Sequence, residues 1–459
     1  MTRQSLEAVA FDETGRSFQL EVRPASALSL AVSPSTAPLP PLGTVFSRLV
    51  VTWHETPAVL GRCKLTASRG GPPVLVFTEE LPDVRGLFSE GRAKNQLSML
   101  NELGLVLSQR KSVKGAFRSY VADVIYDLTV YRKALDEFDR TFSNETREVV
   151  ETAQAALLAR VSPDFFRSMD GIVERLGELV RHFTPEEHEL HGYYFRQQLW
   201  TFLMGAEFMR RTNLKPRGYP GDAVMMEMLY DDAYEGSTLF NKLLHRHPVK
   251  HAAAQAVRNR RVLVPALAHE RLAKSTRATF RVLSVACGPA RELEQLFRDA
   301  KDAARLDVTL LDQDEEALST AARTVRHLES SKNVRLNAHT VNTSVRMLLR
   351  EREATAKLGR FDFIYSMGMF DYLTPPVARA VLARLYELLE PGGALLVGNY
   401  HVDNASRFYM AYWLDWQLYY RSEEEMNELA AALPGAKTSL QLDDTRCQMF
   451  LTAEKPPNA

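Results

Sequence analysis

From about residue 276 onward the chain alternates short apolar runs with amphipathic stretches, and few architectures tolerate that pattern. FRVLSVA, LDVTLLD, NVRLNAHTV, FDFIYSM and ALLVGNY are rich in β-branched, aromatic and aliphatic residues. Four of them run largely apolar, and NVRLNAHTV alternates. ARELEQLFRDAKDA, EEALSTAARTVRHLE and PVARAVLARLYELLE carry helical periodicity between them. Strand and helix in turn, with short connections, predict a doubly wound α/β domain over 276–459 with a mainly parallel sheet. Pro391-Gly392-Gly393 marks a turn before the fifth run, and TSLQLDD with CQMFLTAEK reads as a closing hairpin.

At 459 residues the chain exceeds one ordinary core, so further domains are expected upstream. Residues 1–90 hold β-type runs (LGTVFSRLVVTWHE, AVLGRCKLTA, PPVLVFTEEL) between Pro- and Gly-rich turns and predict a small β unit. Residues 91–275 read as helix and predict a cap over the α/β domain. Ser162-Pro163-Asp164 is a start signal, and Thr184-Pro185-Glu186-Glu187 is a capping box. Lys plus Arg and Asp plus Glu both number 57, which argues against a polyanion surface as the main business, so no nucleic-acid partner is expected. Cys63, Cys287 and Cys447 are scattered and form no CxxC pair, so neither a disulfide framework nor a metal site is expected. No signal-peptide pattern or membrane-length apolar run is present, and a cytoplasmic location is the simplest expectation.

Open α/β sheets bind ligands at the carboxyl ends of their strands. Here the first strand runs into Ala286-Cys287-Gly288-Pro289-Ala290-Arg291-Glu292, and the second ends at Asp312, 24 residues after Gly288. A glycine at the first turn and an acid at the second strand form the minimal pocket for an adenosine, with the carboxylate accepting from the ribose hydroxyls. The loop lacks the GxGxxG of a pyrophosphate site, and Glu292 would repel phosphate while tolerating a sulfonium or amino group. The residues therefore favour S-adenosyl-L-methionine over a nicotinamide dinucleotide.

SVACGPARE, TLLDQDEEAL, FDFIYSMGMFDYL and LYELLEPGGALLVGNY resemble successive motifs of class I S-adenosylmethionine-dependent methyltransferases, a Rossmann-like family. The match departs at Ala290, where a second glycine is common, and at Ala286, where an acidic-x-Gly opening is common. The resemblance implies that Ala286, Gly288, Pro289 and Ala290 line the methionine and ribose portion. It implies that Asp312 holds the ribose with Gln313 beside the adenine, that Asn342 and Thr343 face the adenine edge, and that Ser366, Met367 and Gly368 flank the methionine moiety. Upstream, KPRGYPGD (215–222), MEMLYDDAYEGSTLFNKLLH and AVRNRR resemble a narrower bacterial group, the extracellular-factor 3-hydroxypalmitic acid methyl ester biosynthesis proteins. That resemblance implies methyl esterification of a fatty-acid carboxyl. The β unit resembles a degenerate PilZ-type barrel without the paired motifs of a cyclic-di-GMP site.

A carboxylate acceptor is already ionised and needs a clamp before it needs a base. Arg217 and Arg258 are the clamp candidates, Tyr219 and Asp222 of the GYPGD turn are expected to shape the site, and His401 is the candidate base. Arg258, Arg260 and Arg261 of AVRNRR could each pair with a carboxylate through two bonds, and a solvated basic face explains them equally well. Met225, Met226, Met228 and the FYMAYWLDWQLYY stretch suit a lipid-like small-molecule acceptor. Two other functions stay open: O- or N-methylation of another metabolite, and a non-catalytic cofactor sensor. Homo-oligomerisation is likewise left open.

Overall fold

Alternation in the N-terminal strands has a direct structural consequence. In LEAVAFD, Leu6, Ala8 and Ala10 turn inward while their neighbours face out. The described strands of this unit are β1 (Leu6–Asp12), β2 (Ser17–Ser26), β3 (Ser29–Pro34), β4 (Val45–Trp53), β5 (Thr56–Leu60), β6 (Cys63–Thr66) and β7 (Val74–Phe77). All pairings are antiparallel in the order β1-β2-β3-β7-β6-β4-β5, and β1 also pairs with β4, which closes the ring. Closure removes most free edge, and Val22, Leu30, Phe46, Leu49, Leu65 and Leu75 fill the interior.

The computed structural model describes residues 6–26, 29–34, 38–53, 56–68, 71–78, 110–350 and 357–457. Two compact units result, residues 1–112 and 113–459. The expected boundary near residue 90 lies outside the described residues. Helices and sheet downstream of residue 113 belong to one unit. Among the described residues no helix is long and apolar enough to cross a membrane.

The second unit opens with seven helices: α1 (Gly115–Thr141), α2 (Arg147–Val180), α3 (Pro185–Leu203), α4 (Glu207–Leu214), α5 (Ala223–Asp231), α6 (Leu239–Lys250) and α7 (Ala252–Lys274). Thr184 and Glu187 form the expected capping box on α3. The expected start at Ser162-Pro163-Asp164 is overturned, because Pro163 sits inside α2 and the cap is Thr146, whose side chain accepts from the Val149 amide. Buried Leu158 precedes Pro163 and Phe165, Met169 and Leu176 follow it. One continuous apolar stripe thus outweighs the hydrogen bond that the proline removes.

Sheet order in this unit is β10-β9-β8-β11-β12-β14-β13. The strands are β8 (Phe280–Val285), β9 (Leu306–Asp312), β10 (Asn337–Asn342), β11 (Phe361–Ser366), β12 (Leu389–Tyr400), β13 (Lys437–Leu442) and β14 (Gln448–Glu454). The first five are parallel, and β13 and β14 form the antiparallel closing hairpin. Among the described residues, six helices accompany them: α8 (Ala300–Arg305), α9 (Glu315–Lys332), α10 (Val345–Arg350), α11 (Pro375–Glu387), α12 (Arg407–Trp413) and α13 (Glu423–Ala430). This is the expected Rossmann-like α/β fold. ARELEQLFRDAKDA is not one helix: a 3-10 turn covers Arg291–Gln295, and α8 starts anew where the Asp299 side chain caps the Asp302 amide. Pro391-Gly392-Gly393 does not precede the fifth strand but lies within it, beside a register shift between Phe361 and Phe363.

Candidate functional site

Chain order fixes where a ligand can sit. From β8 the chain moves outward to β9 and β10, then returns to β11 on the other side, so the crossovers diverge between β8 and β11. Ala286, Gly288, Pro289 and Ala290 follow β8. Asp312 ends β9 with Gln313 beyond it, Asn342 ends β10 with Thr343 beyond it, and Ser366 ends β11 before Met367 and Gly368. All eleven expected cofactor residues therefore gather along one edge of the sheet.

Hydrogen bonds bind that edge together. The Gly288 amide donates to Asp312 Oδ2 (2.9 Å) and the Asp314 amide to Asp312 Oδ1 (3.0 Å). The Cys287 amide donates to the Leu311 carbonyl at 3.1 Å. Asn342 Nδ2 reaches the carbonyls of Asp312 (3.3 Å) and Gln313 (3.2 Å), and the Thr343 amide donates to the Asp312 carbonyl at 3.1 Å. Burial pushes the Asp312 carboxyl above its ordinary range, and the backbone amides of Asp314 and Gly288 pull it back. The loop is strained: Ala286 (φ +54°), Gly288 (+54°) and Ala290 (+52°) all occupy the left-handed region.

The edge suits an adenosine with a sulfonium tail. A side chain at Gly288 would meet no heavy atom within 4 Å, so the loop leaves room there. Each Asp312 oxygen accepts one amide and keeps a lone pair for a ribose hydroxyl. Ser366 Oγ is buried and makes no hydrogen bond, a polar atom left waiting at the end of β11. Glu292 is buried and accepts from Tyr365 Oη at 2.7 Å; burial raises its carboxyl, against that hydrogen bond.

The GYPGD turn reaches the same edge. Arg217 pairs with Asp314 (3.5 Å) and with Glu316, at the start of α9. Tyr219 meets Tyr372 edge-on at 6.2 Å, and Tyr372 Oη accepts from Trp416 Nε1 at 2.9 Å. A Cβ on Gly221 would lie 2.7 Å from Tyr372 Oη, so the turn packs hard against this aromatic wall. Burial raises the Tyr219 phenol, with further push from Asp312, Asp314 and Asp222, so it stays protonated.

Three expected catalytic residues are engaged elsewhere. Asp222 caps α5 through the Met225 amide (3.0 Å) and takes a bidentate pair from Arg211, with Nη2 at 2.8 Å. Arg258 donates Nη1 to the carbonyls of Leu229 (3.0 Å) and Val249 (2.8 Å) and Nε to Gln255, so it braces three helices and offers no fork to a ligand. His401 accepts the Asp403 amide at Nδ1 (3.2 Å), while its own amide donates to the Cys447 carbonyl at 2.8 Å; it anchors the end of β12. Arg217 is held by two acids, Asp314 and Glu316.

One group at the site was not singled out from the sequence. Asp371, 2% exposed, follows β11 and accepts the Tyr400 amide at Oδ1 (2.7 Å). Burial raises its carboxyl to about 7 in spite of Arg260 and Arg421. Arg260 was put forward with Arg258 and Arg261 as able to pair with a carboxylate. It lies on the buried stripe Ala253, Ala256, Val257, Val264 and Ala268 of α7, a helical phase that was visible in the sequence.

Residues 282–393 match the family model described as a methyltransferase domain. The match runs from β8 into β12, the stretch that carries the candidate site. No curated protein matches the chain. Among solved structures, the chain is similar to a possible exported protein from Bordetella parapertussis: 18% identity over 66% of this chain and 96% of that one, TM-score 0.45. It is similar to magnesium protoporphyrin IX methyltransferase from Synechocystis with bound S-adenosylmethionine: 13% identity, 45% and 84% coverage, TM-score 0.32. It is also similar to the N-methyltransferase NodS from Bradyrhizobium japonicum in complex with S-adenosyl-L-homocysteine: 18% identity, 44% and 88% coverage, TM-score 0.31.

Proposed function

We propose that this protein transfers the methyl group of S-adenosyl-L-methionine to the carboxylate of a hydroxy fatty acid or a similar small molecule. The observation that carries this reading is the amide–carboxylate bond between Gly288 and Asp312 at the point where the crossovers diverge. When bound, the cofactor supplies a methyl on a positively charged sulfur, already activated for in-line displacement. Asp312 accepts from the ribose, the Gly288 turn leaves space for it, and Ser366 offers its hydroxyl to the methionine portion. Tyr219, Tyr372 and Trp416 screen the edge from water, so that positioning supplies most of the acceleration. A carboxylate acceptor needs no proton removed, which agrees with His401 being engaged elsewhere.

Large apolar side chains around the helices, such as Phe208, Met410 and Trp416, are compatible with a lipid-like acceptor. A small cavity among them is bordered by Leu229, Tyr400, Tyr409, His251 and Ser406. Trp416 connects it with the aromatic wall beside Tyr219. The closed β ring is consistent with a PilZ-like scaffold used for docking. The test is product analysis by mass spectrometry with a methyl-labelled cofactor and a panel of 3-hydroxypalmitate, shorter hydroxy acids, phenols and amines. Label on a carboxyl is expected. Label on a hydroxyl or amine would move the acceptor class, and cofactor binding without any product would point to a sensor.

A further inference from the structure

Arg260 is 6% exposed, yet only one edge of its guanidinium has a partner. Nε donates to Gln448 Oε1 at 2.7 Å, and Gln448 Nε2 in turn donates to the Met367 carbonyl at 3.2 Å. This fixes the plane of the guanidinium against the loop that follows β11. Nη1 and Nη2 make no hydrogen bond and no ion pair within 4.0 Å among the described residues. Nη1 and Nη2 are not fully enclosed, so this edge opens on space that water or a ligand can enter.

The free edge has a defined place. Nη1 lies 3.3 Å from where a Cβ on Gly368 would be, and the guanidinium sits over the Tyr400 ring at 5.7 Å from its centre. Gly368 flanks the expected methionine portion of the cofactor, and Tyr400 borders the small cavity. Two buried carboxyls, Asp371 and Glu292, are near enough for its charge to lower both. Arg260 therefore stands at the junction of the donor and acceptor spaces with up to four N–H donors available.

We infer that Arg260 is the carboxylate-binding residue of this site: its Nη edge takes a ligand carboxylate in a forked pair, with Gln448 as the positioning residue behind it. The inference rests on the proposed methyl transfer. Two ligands could bring that carboxylate, the methionine portion of the cofactor or the acceptor. Both present the same chemistry to the fork.

The experiment is calorimetric titration of the full chain and of Arg260→Met, Arg260→Lys and Gly368→Ala with two matched pairs. S-adenosylhomocysteine carries the amino-acid carboxylate and 5′-methylthioadenosine lacks it; 3-hydroxypalmitate carries a carboxylate that its methyl ester lacks. We expect Arg260→Met to weaken the carboxylate member of one pair tenfold or more and its partner less than twofold. The pair that responds names the source. Arg260→Lys keeps the charge but loses the fork and should fall between. Gly368→Ala keeps the arginine but crowds Nη1, so it should weaken the same ligand, which preserves the test should Arg260→Met fail to fold. Equal losses within both pairs, or no loss in either, would overturn the inference. If the unaltered protein bound neither adenosine compound, the cofactor reading itself would fail, a separate result.

Discussion

The Gly288 amide donates to Asp312 Oδ2 at 2.9 Å, so one carboxylate both shapes the turn after β8 and faces the space that turn encloses. Asp312→Ala removes the acceptor for two amides, Gly288 and Asp314, and the ribose contact together. We expect at least a tenfold loss of S-adenosylmethionine affinity by calorimetry. The unsatisfied amides add about 1–3 kcal/mol of destabilisation in urea unfolding. Unchanged affinity would contradict the placement of the nucleoside at this edge.

The two alanines in left-handed backbone should respond differently to glycine. Ala286 is exposed, so Ala286→Gly relieves strain without losing a packed methyl and should stabilise by about 1 kcal/mol. Ala290 is fully buried in the core with Leu293 and Val308. There the lost methyl burial, about 0.8 kcal/mol, offsets the relief, and Ala290→Gly should come out near neutral. Chemical denaturation of both variants separates the two terms.

Arg258→Met should cost about 2 kcal/mol of stability, since two helix-end carbonyls lose a charged donor. Affinity for S-adenosylhomocysteine should stay within twofold. A large ligand effect with an intact fold would return Arg258 to the binding machinery.

Two buried groups should give the unfolding transition opposite pH slopes. His245 is fully buried and accepts the Phe208 amide at Nδ1 (3.2 Å), and burial lowers it to about 4. It is neutral in the fold and protonates readily once unfolded. Its stabilising share is intact above about pH 6.5 and is lost as pH falls to about 4, by roughly 3 kcal/mol. His245→Asn, which keeps an acceptor for that amide, should flatten this acid limb. Asp371 has the opposite sign: its folded value of about 7 lies above 3.8, so its stabilising share is present below pH 3.8 and is lost as pH rises to about 7. Asp371→Asn should gain relative stability across that interval and none above it. Melting temperatures measured from pH 4 to 8 check both.

Much of the fold was legible because it is written locally. Strand runs such as FRVLSVA and LDVTLLD show their burial in their own composition, and Gly288 and Asp312 are recognisable because a strand–turn–helix unit places its loop at a known edge. Thr184 and Glu187 could be read as a cap because both partners lie within one turn. Pro163 misled for the same reason: a start signal is local, while the decision to continue α2 was made by the apolar stripe that packs on both sides of it. The candidate arginines could not be told apart at that level. Arg217, Arg258 and Arg260 have the same side chain. Only packing ties the first to Asp314 and Glu316, gives the second two carbonyls, and leaves the third buried with one edge free. The succession of strands and helices and the expected binding edge belong to the amino-acid pattern itself, because backbone geometry and burial period act over a few residues. Which guanidinium keeps a free edge depends on contacts between segments some 190 residues apart, such as Arg260 with Gln448, and those exist only once the chain has closed.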